Sequence, residues 1–393
     1  RYLTHSIGFR WLHQHRDGVG SVILMVTLRR VAVELLGLFS PLYIFSLVRD
    51  LDCSVQNSVL VVIGYFLLIY VTKLLTMPLA ENASFKIGYR RTLVLSIIPF
   101  FLFVGFLSLS QAFPFLLFLV TIFWGVHAAL FWFGYHGLFV KRADQEHFGK
   151  QTGACQALYI LMGILTPIGG GLIILQFGYQ VLFLIAGAIF TLAVMIALLS
   201  GEIKPQRDAR INNVFQLFKT HKRAMVSYFG WGFESALYSS IWPIFLFILV
   251  GRILAFGEII AAAVLVAAVL TYLIGLVVDR IGTKKVISLG STVGFLSFLG
   301  RAVVRTPLAI VGVDGFYRVS EQMLHISLLV KSYKKAIDGG TGQALYFMEI
   351  SLGLGAITGL FLTGVLVALN LPLGGIFLLA SLGALAPILL ARR

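Results

Sequence analysis

Long apolar runs fill this chain, and lysine and arginine gather in every second gap between them. Of the 31 Lys and Arg residues, 26 lie in those alternate gaps or just inside one. The basic gaps hold Arg1 to Arg30, Lys86 with Arg90 and Arg91, Lys141 to Lys150, Lys204 to Arg223, Arg280 to Lys285, Lys331 to Lys335, and Arg392 with Arg393. Lys73, inside the second run, reads as snorkelling to the same side. The intervening gaps hold only Arg49, Arg252, Arg301 and Arg305, and Arg318 lies inside a run. Cationic clusters stay on the cytoplasmic face of a bilayer. The alternation therefore predicts an even number of crossings, with both ends in the cytoplasm of a bacterial-type plasma membrane.

Composition excludes a soluble fold. Hydrophobic residues make up 59% and charged residues 12%, against about half and a quarter in soluble domains. In that setting the net charge of +15 is an orientation signal with some attraction for anionic lipid heads, not a nucleic-acid footprint. Cys53 and Cys155 make no disulfide framework.

A crossing takes about 20 apolar residues. Twelve runs qualify: 29–49, 56–79, 91–110, 113–140, 150–176, 178–200, 225–250, 256–278, 286–304, 307–331, 340–368 and 371–391. Runs of this length are helices, since barrel strands are short and alternating. The expectation is an all-α polytopic membrane protein. The longest polar connection, 201–224, divides it into six-helix bundles at 29–200 and 225–393. Residues 1–28 precede them as a cytoplasmic segment, where Phe9, Trp11 and Leu12 among basic residues suggest an interfacial helix.

Two fragments echo across the division. TGACQALY from Thr152 opens the fifth run, and TGQALY from Thr341 opens the eleventh. FKIGYRR (Phe85 to Arg91) follows the second run, and DRIGTKK (Asp279 to Lys285) follows the eighth. Both offsets are near 190 residues, which points to duplicated halves.

Twelve spans in two sixes, with a Gly-x-Lys/Arg-Lys/Arg loop after spans 2 and 8, resemble the major facilitator superfamily. The loop from Gly275 to Lys285, GLVVDRIGTKK, carries that family's pattern closely; the copy around Gly88, Arg90 and Arg91 is degenerate and lacks the acid, for which Glu81 is a substitute. The resemblance implies two six-helix bundles, alternating access, and a cavity lined by spans 1, 4, 7 and 10. It also implies that Asp279, Arg280 and Gly282, with Gly88, Arg90 and Arg91, help close the cytoplasmic side. The stretch GILTPIGGG from Gly163 is similar to the glycine/proline signature of the family's antiporters, and helix packing explains it equally well.

The tenth run carries Asp314, Arg318, Glu321 and His325, spaced four, three and four. At about 100° per residue they share one face. A charge facing lipid near mid-membrane costs about 2.5–3.5 kcal/mol, so this stripe faces water or protein. Arg318 is the candidate for an anionic substrate group, with Asp314 and His325 beside it. Asp314–Arg318 and Arg318–Glu321 have pairing distances along a helix. Other ionisable groups in the expected cavity spans are Glu34, one turn beyond Arg30, and Glu234 beside Tyr238. His127, with Trp124 on its face, reads either as a cavity residue or as a packed histidine. Glu349 in the eleventh run either carries a proton or bonds across helices.

Glu321, Glu234, Glu349 and Glu34 are thus the candidates for proton coupling, and Arg318, Asp314, His325, Tyr238, His127 and Trp124 for substrate contact. No phosphate loop, zinc spacing or catalytic triad is present, so neither a cofactor nor an enzyme activity is expected. The resemblance implies a secondary transporter of a small polar, zwitterionic or amphipathic solute, with the proton as coupling ion and one chain sufficient as a monomer. A uniporter of the same fold, or a membrane sensor that transports nothing, are the alternatives.

Overall fold

The computed structural model describes the backbone of residues 19–142, 148–198, 201–204, 218–339 and 341–391. Side chains are described over 24–141, 162–198, 201–204, 218–271, 282–329, 331 and 342–391. Every regular element among the described residues is a helix. In chain order they are α1 (Val19–Arg49), α2 (Val55–Ile87), α3 (Tyr89–Leu95), α4 (Ile97–Leu109), α5 (Leu116–Arg142), α6 (Phe148–Leu198), α7 (Lys222–Val250), α8 (Ile253–Ile281), α9 (Thr283–Val303), α10 (Pro307–Gly339), α11 (Thr341–Ala368) and α12 (Leu373–Leu385), closed by a short 3-10 turn, Ala386–Leu390.

Ten helical segments among the described residues are long and apolar enough to cross a membrane. One of them, Met162–Leu198, is too long for a single crossing: its 37 residues would run roughly 55 Å at 1.5 Å each, against a hydrocarbon core of about 30 Å. The chain turns within it at Gly178, whose φ of 81° and ψ of 172° are not helical. α10 is not among the ten, because Asp314, Arg318 and Glu321 interrupt its apolar sequence.

Local chemistry sets several element ends. α2 begins where the Asn57 amide donates to the Ser54 hydroxyl at 3.1 Å, an N-cap. α3 and α4 are one apolar run broken at Ser96. Proline at 99 has no N–H to return to Leu95, so the helical ladder stops there. α1 starts ten residues before its apolar run was expected to begin, because Arg29 and Arg30 lie inside the helix rather than ahead of it.

The two echoed loops adopt the same backbone. Gly88 (φ 95°, ψ 164°) joins α2 to α3, and Gly282 (φ 76°, ψ 154°) joins α8 to α9. Positive φ of this kind is open to glycine and strained for other residues. At the first loop an acid is also supplied from beyond α6, by Glu202. Glu202 accepts the backbone amides of Arg90 and Arg91 at 2.9 and 3.0 Å, and Tyr89 donates its amide to the Ile203 carbonyl at 2.9 Å. A carboxylate on the first amides of a helix suits both the unpaired donors and the dipole.

Helices pack both within and across the division of the sequence. α1 lies on α6 and α2 on α5; α7 lies on α11, and α9 on α10 and α12. Between the halves, α6 meets α8 and α2 meets α11. The glycine/proline stretch of α6 is one of these seams: a Cβ at Gly257 on α8 would sit 2.5 Å from the Pro167 carbonyl oxygen. Close backbone approach therefore accounts for that stretch.

Candidate functional site

A cavity of about 200 Å³ opens where α1, α5 and α10 converge. Its walls include Arg29, Arg30 and Glu34 from α1, Trp132 from α5, and Glu321 and His325 from α10. Arg30 and Glu34 are one helical turn apart, as are Glu321 and His325, so each pair shares a face. Arg30 Nη2 approaches His325 Nε2 to 3.5 Å, and Trp231 of α7 meets the His325 ring edge-on at 5.3 Å.

Arg29 was not anticipated here. It is 3% exposed, with its guanidinium carbon 3.8 Å from the Phe131 ring centroid and 4.7 Å from that of Trp132. The ring faces offset part of the cost of taking the charge out of water. Its Nε is buried without a hydrogen-bond partner.

Away from the cavity, the α10 stripe divides. Asp314 is fully buried and closed off by two guanidiniums. Arg301 Nη2 lies 2.6 Å from Oδ1, and Arg318 Nε 2.8 Å from Oδ2. Each carboxylate oxygen thus receives a charge-assisted bond. The Arg318 bond is the four-residue pairing that the sequence suggested. Arg301 is a correction: it occupies no loop, but the last turn of α9, with no exposure. The rings of Tyr238, Trp242, Phe298 and Tyr317 surround its guanidinium at 4.9, 4.5, 5.1 and 4.3 Å. Beside them Glu234 accepts from the Tyr317 hydroxyl at 2.7 Å, and the Tyr238 and Tyr317 rings lie 4.2 Å apart.

A second buried ion pair ties the two halves of the chain together. Lys73 Nζ of α2 lies 2.5 Å from Glu349 Oε2 of α11, and His136 Nε2 of α5 lies 3.4 Å from the other Glu349 oxygen. Lys73 therefore does not snorkel; it is 9% exposed and spends its charge on Glu349. The Trp132 ring stacks on His136 at 5.2 Å and 19°, so one indole borders both the cavity and this pair.

The other predicted residues lie elsewhere. His127 is fully buried, its Nδ1 3.0 Å from the Ser96 carbonyl, with the rings of Phe100, Phe131 and Phe190 at 4.9, 5.8 and 5.0 Å. Trp124 packs on Phe103 at 4.6 Å. His127 faces α4 and α6 and Trp124 faces α4; neither is among the residues that line the cavity, and His127 Nε2 is buried without a hydrogen-bond partner. The side chains of Asp279 and Arg280 fall outside the described residues, as do Cys155 and most of 201–224.

The residues from 24 to 316 match the Major Facilitator Superfamily. That stretch runs from the start of α1 into α10 and covers well over half of the chain. The chain belongs to the major facilitator superfamily. It is an integral membrane protein of a transporter family. Comparison with curated proteins finds no relative. For this superfamily member, the cavity walls come from the first, fourth and tenth expected spans. The seventh touches α10 through Trp231 against His325 and, farther along, through Glu234 and Tyr238 against Tyr317.

Proposed function

We propose that this protein is a secondary transporter that carries a small polar solute by alternating access. Twelve crossings form two six-helix bundles, the first beginning with α1 and ending near residue 200 and the second spanning 225–393, joined by 201–224, with both termini in the cytoplasm. One observation carries the reading: a cavity bordered by ionisable side chains from both halves, next to an ion pair that also joins the halves. A charged cavity inside a membrane protein marks a polar cargo. An inter-half bond beside it has to break if the halves part.

Glu321 is the proton carrier of choice, because it is the α10 acid on the cavity wall; Glu34 faces the same space. Glu234 and Glu349 remain secondary candidates, each committed to a neighbour. The two glycine-turn loops, with Arg90 and Arg91 at one and Asp279 and Arg280 at the other, close the cytoplasmic side. Counterflow in proteoliposomes against a solute panel, with and without a protonophore, tests the proposal. Glu321→Gln is expected to abolish pH-gradient-driven accumulation while exchange survives in part. Accumulation at the wild-type level in that variant removes Glu321 from the coupling role, and a flux indifferent to the protonophore makes the protein a uniporter. Absence of flux for every solute supports the sensor alternative.

A further inference from the structure

We infer that the cavity takes a zwitterion, an amine or quaternary-ammonium carboxylate whose acid faces Arg29 and Arg30 and whose cationic end faces Glu34 and Glu321. The inference rests on the transport reading above and adds the class of solute.

The walls are layered by sign. Glu34 follows Arg30 by four residues on α1, and Glu321 precedes His325 by four on α10, a rise of about 6 Å in each helix. Arg30 stands against His325 at 3.5 Å, and Glu34 and Glu321 line the same cavity. The two helices thus place guanidiniums and imidazole at one level and carboxylates at the next. Two guanidiniums against two carboxylates leave the cavity with no net formal charge when the imidazole is neutral. A solute with a net charge would disturb that balance, and a dipolar one would not.

The acid's seat follows from what is already engaged. Arg318, the residue the sequence favoured, gives its Nε to Asp314 at 2.8 Å. Arg29 and Arg30 instead border the cavity. Size agrees as well. The cavity holds roughly six or seven waters at about 30 Å³ each, which is small beside the pockets of about 300–1,000 Å³ that accept drug-sized ligands.

The test is calorimetric titration of the purified full chain in nanodiscs with 4-aminobutanoate, butanoate and butylamine. The first is expected to bind at least tenfold more tightly than either single-charge probe. Arg29→Gln is expected to weaken 4-aminobutanoate and butanoate alike, and Glu321→Gln to weaken 4-aminobutanoate and butylamine while sparing butanoate. Should Arg29→Gln fail to fold, Arg30→Gln reports on the same seat. Butanoate binding as tightly as 4-aminobutanoate, or Glu321→Gln leaving 4-aminobutanoate unchanged, overturns the inference. A chain that ignores all three probes yet exchanges only solutes that are not zwitterions in liposomes overturns the zwitterion assignment and leaves the transport reading standing. A chain that moves no solute at all defeats the transport reading itself.

Discussion

The two buried ionic clusters of this transporter are built from similar groups and sit in different places. Asp314 is held by Arg301 and Arg318, all on α9 and α10 of the second half, inside a wall of rings. Glu349 is held by Lys73 and His136, which come from the first half. A charge pair within one rigid body has no reason to open during a transport cycle. A pair that joins two bodies moving apart cannot stay closed. If the halves rock as proposed, the same chemistry serves as an internal brace in one place and as a breakable tie in the other.

Substitutions separate the two roles. Arg301→Ala strips Asp314 of one of its two cations in a site with no exposure, and removing one partner of a buried pair costs about 3–5 kcal/mol. Thermal unfolding in detergent should show the largest loss of any single change discussed, with the Arg301→Ala/Asp314→Asn double variant recovering part of it. A loss no greater than that of a surface substitution would mean that the brace is dispensable.

Lys73→Met with Glu349→Gln is expected to act on conformation more than on unfolding. If the tie is worth about 1.4 kcal/mol, its removal shifts the balance between closed and open halves about tenfold. Alkylation of a cysteine placed at Val33 on the cavity wall, in a chain with Cys53→Ser and Cys155→Ser, should accelerate by that order. An unchanged alkylation rate with a lowered melting temperature would make this cluster a second brace.

His127→Phe is the smallest change and a control. It removes one bond, to the Ser96 carbonyl, worth about 1 kcal/mol, and is expected to leave flux untouched. His136→Phe, nine residues along the same helix, should instead alter flux, because its ring bears on Glu349.

What the sequence made readable depended on how far apart the partners lie. Asp314 and Arg318 are neighbours on one helix, so their pairing follows from spacing alone. The glycine turns at 88 and 282 were visible as an echo and share one backbone conformation. Arg29 was hidden because a charge in an apolar run reads as the end of that run; what buries it, Phe131 and Trp132, lies a hundred residues later. Arg301 was assigned to a loop for the same reason. Lys73 and Glu349 are 276 residues apart. Their one legible sign was complementarity, a lone base in one span and a lone acid in another. His127 had two readings from sequence; its contact with the broken helix at Ser96 and its unpartnered Nε2 depend on partners that spacing does not show.

The clamp at Glu202 carries one more implication. By seizing the amides at the start of α3, it fastens the beginning of the inter-half connection to the first bundle. If the bundles rock as proposed, none of the slack can come from upstream of Ile203. Phe218 and His221 already rest on the Phe347 ring of α11, so the 13 residues between Lys204 and Phe218, which could reach at most roughly 50 Å when drawn out, must take up the whole excursion. Shortening that stretch should therefore restrict the stroke, while lengthening it should be tolerated.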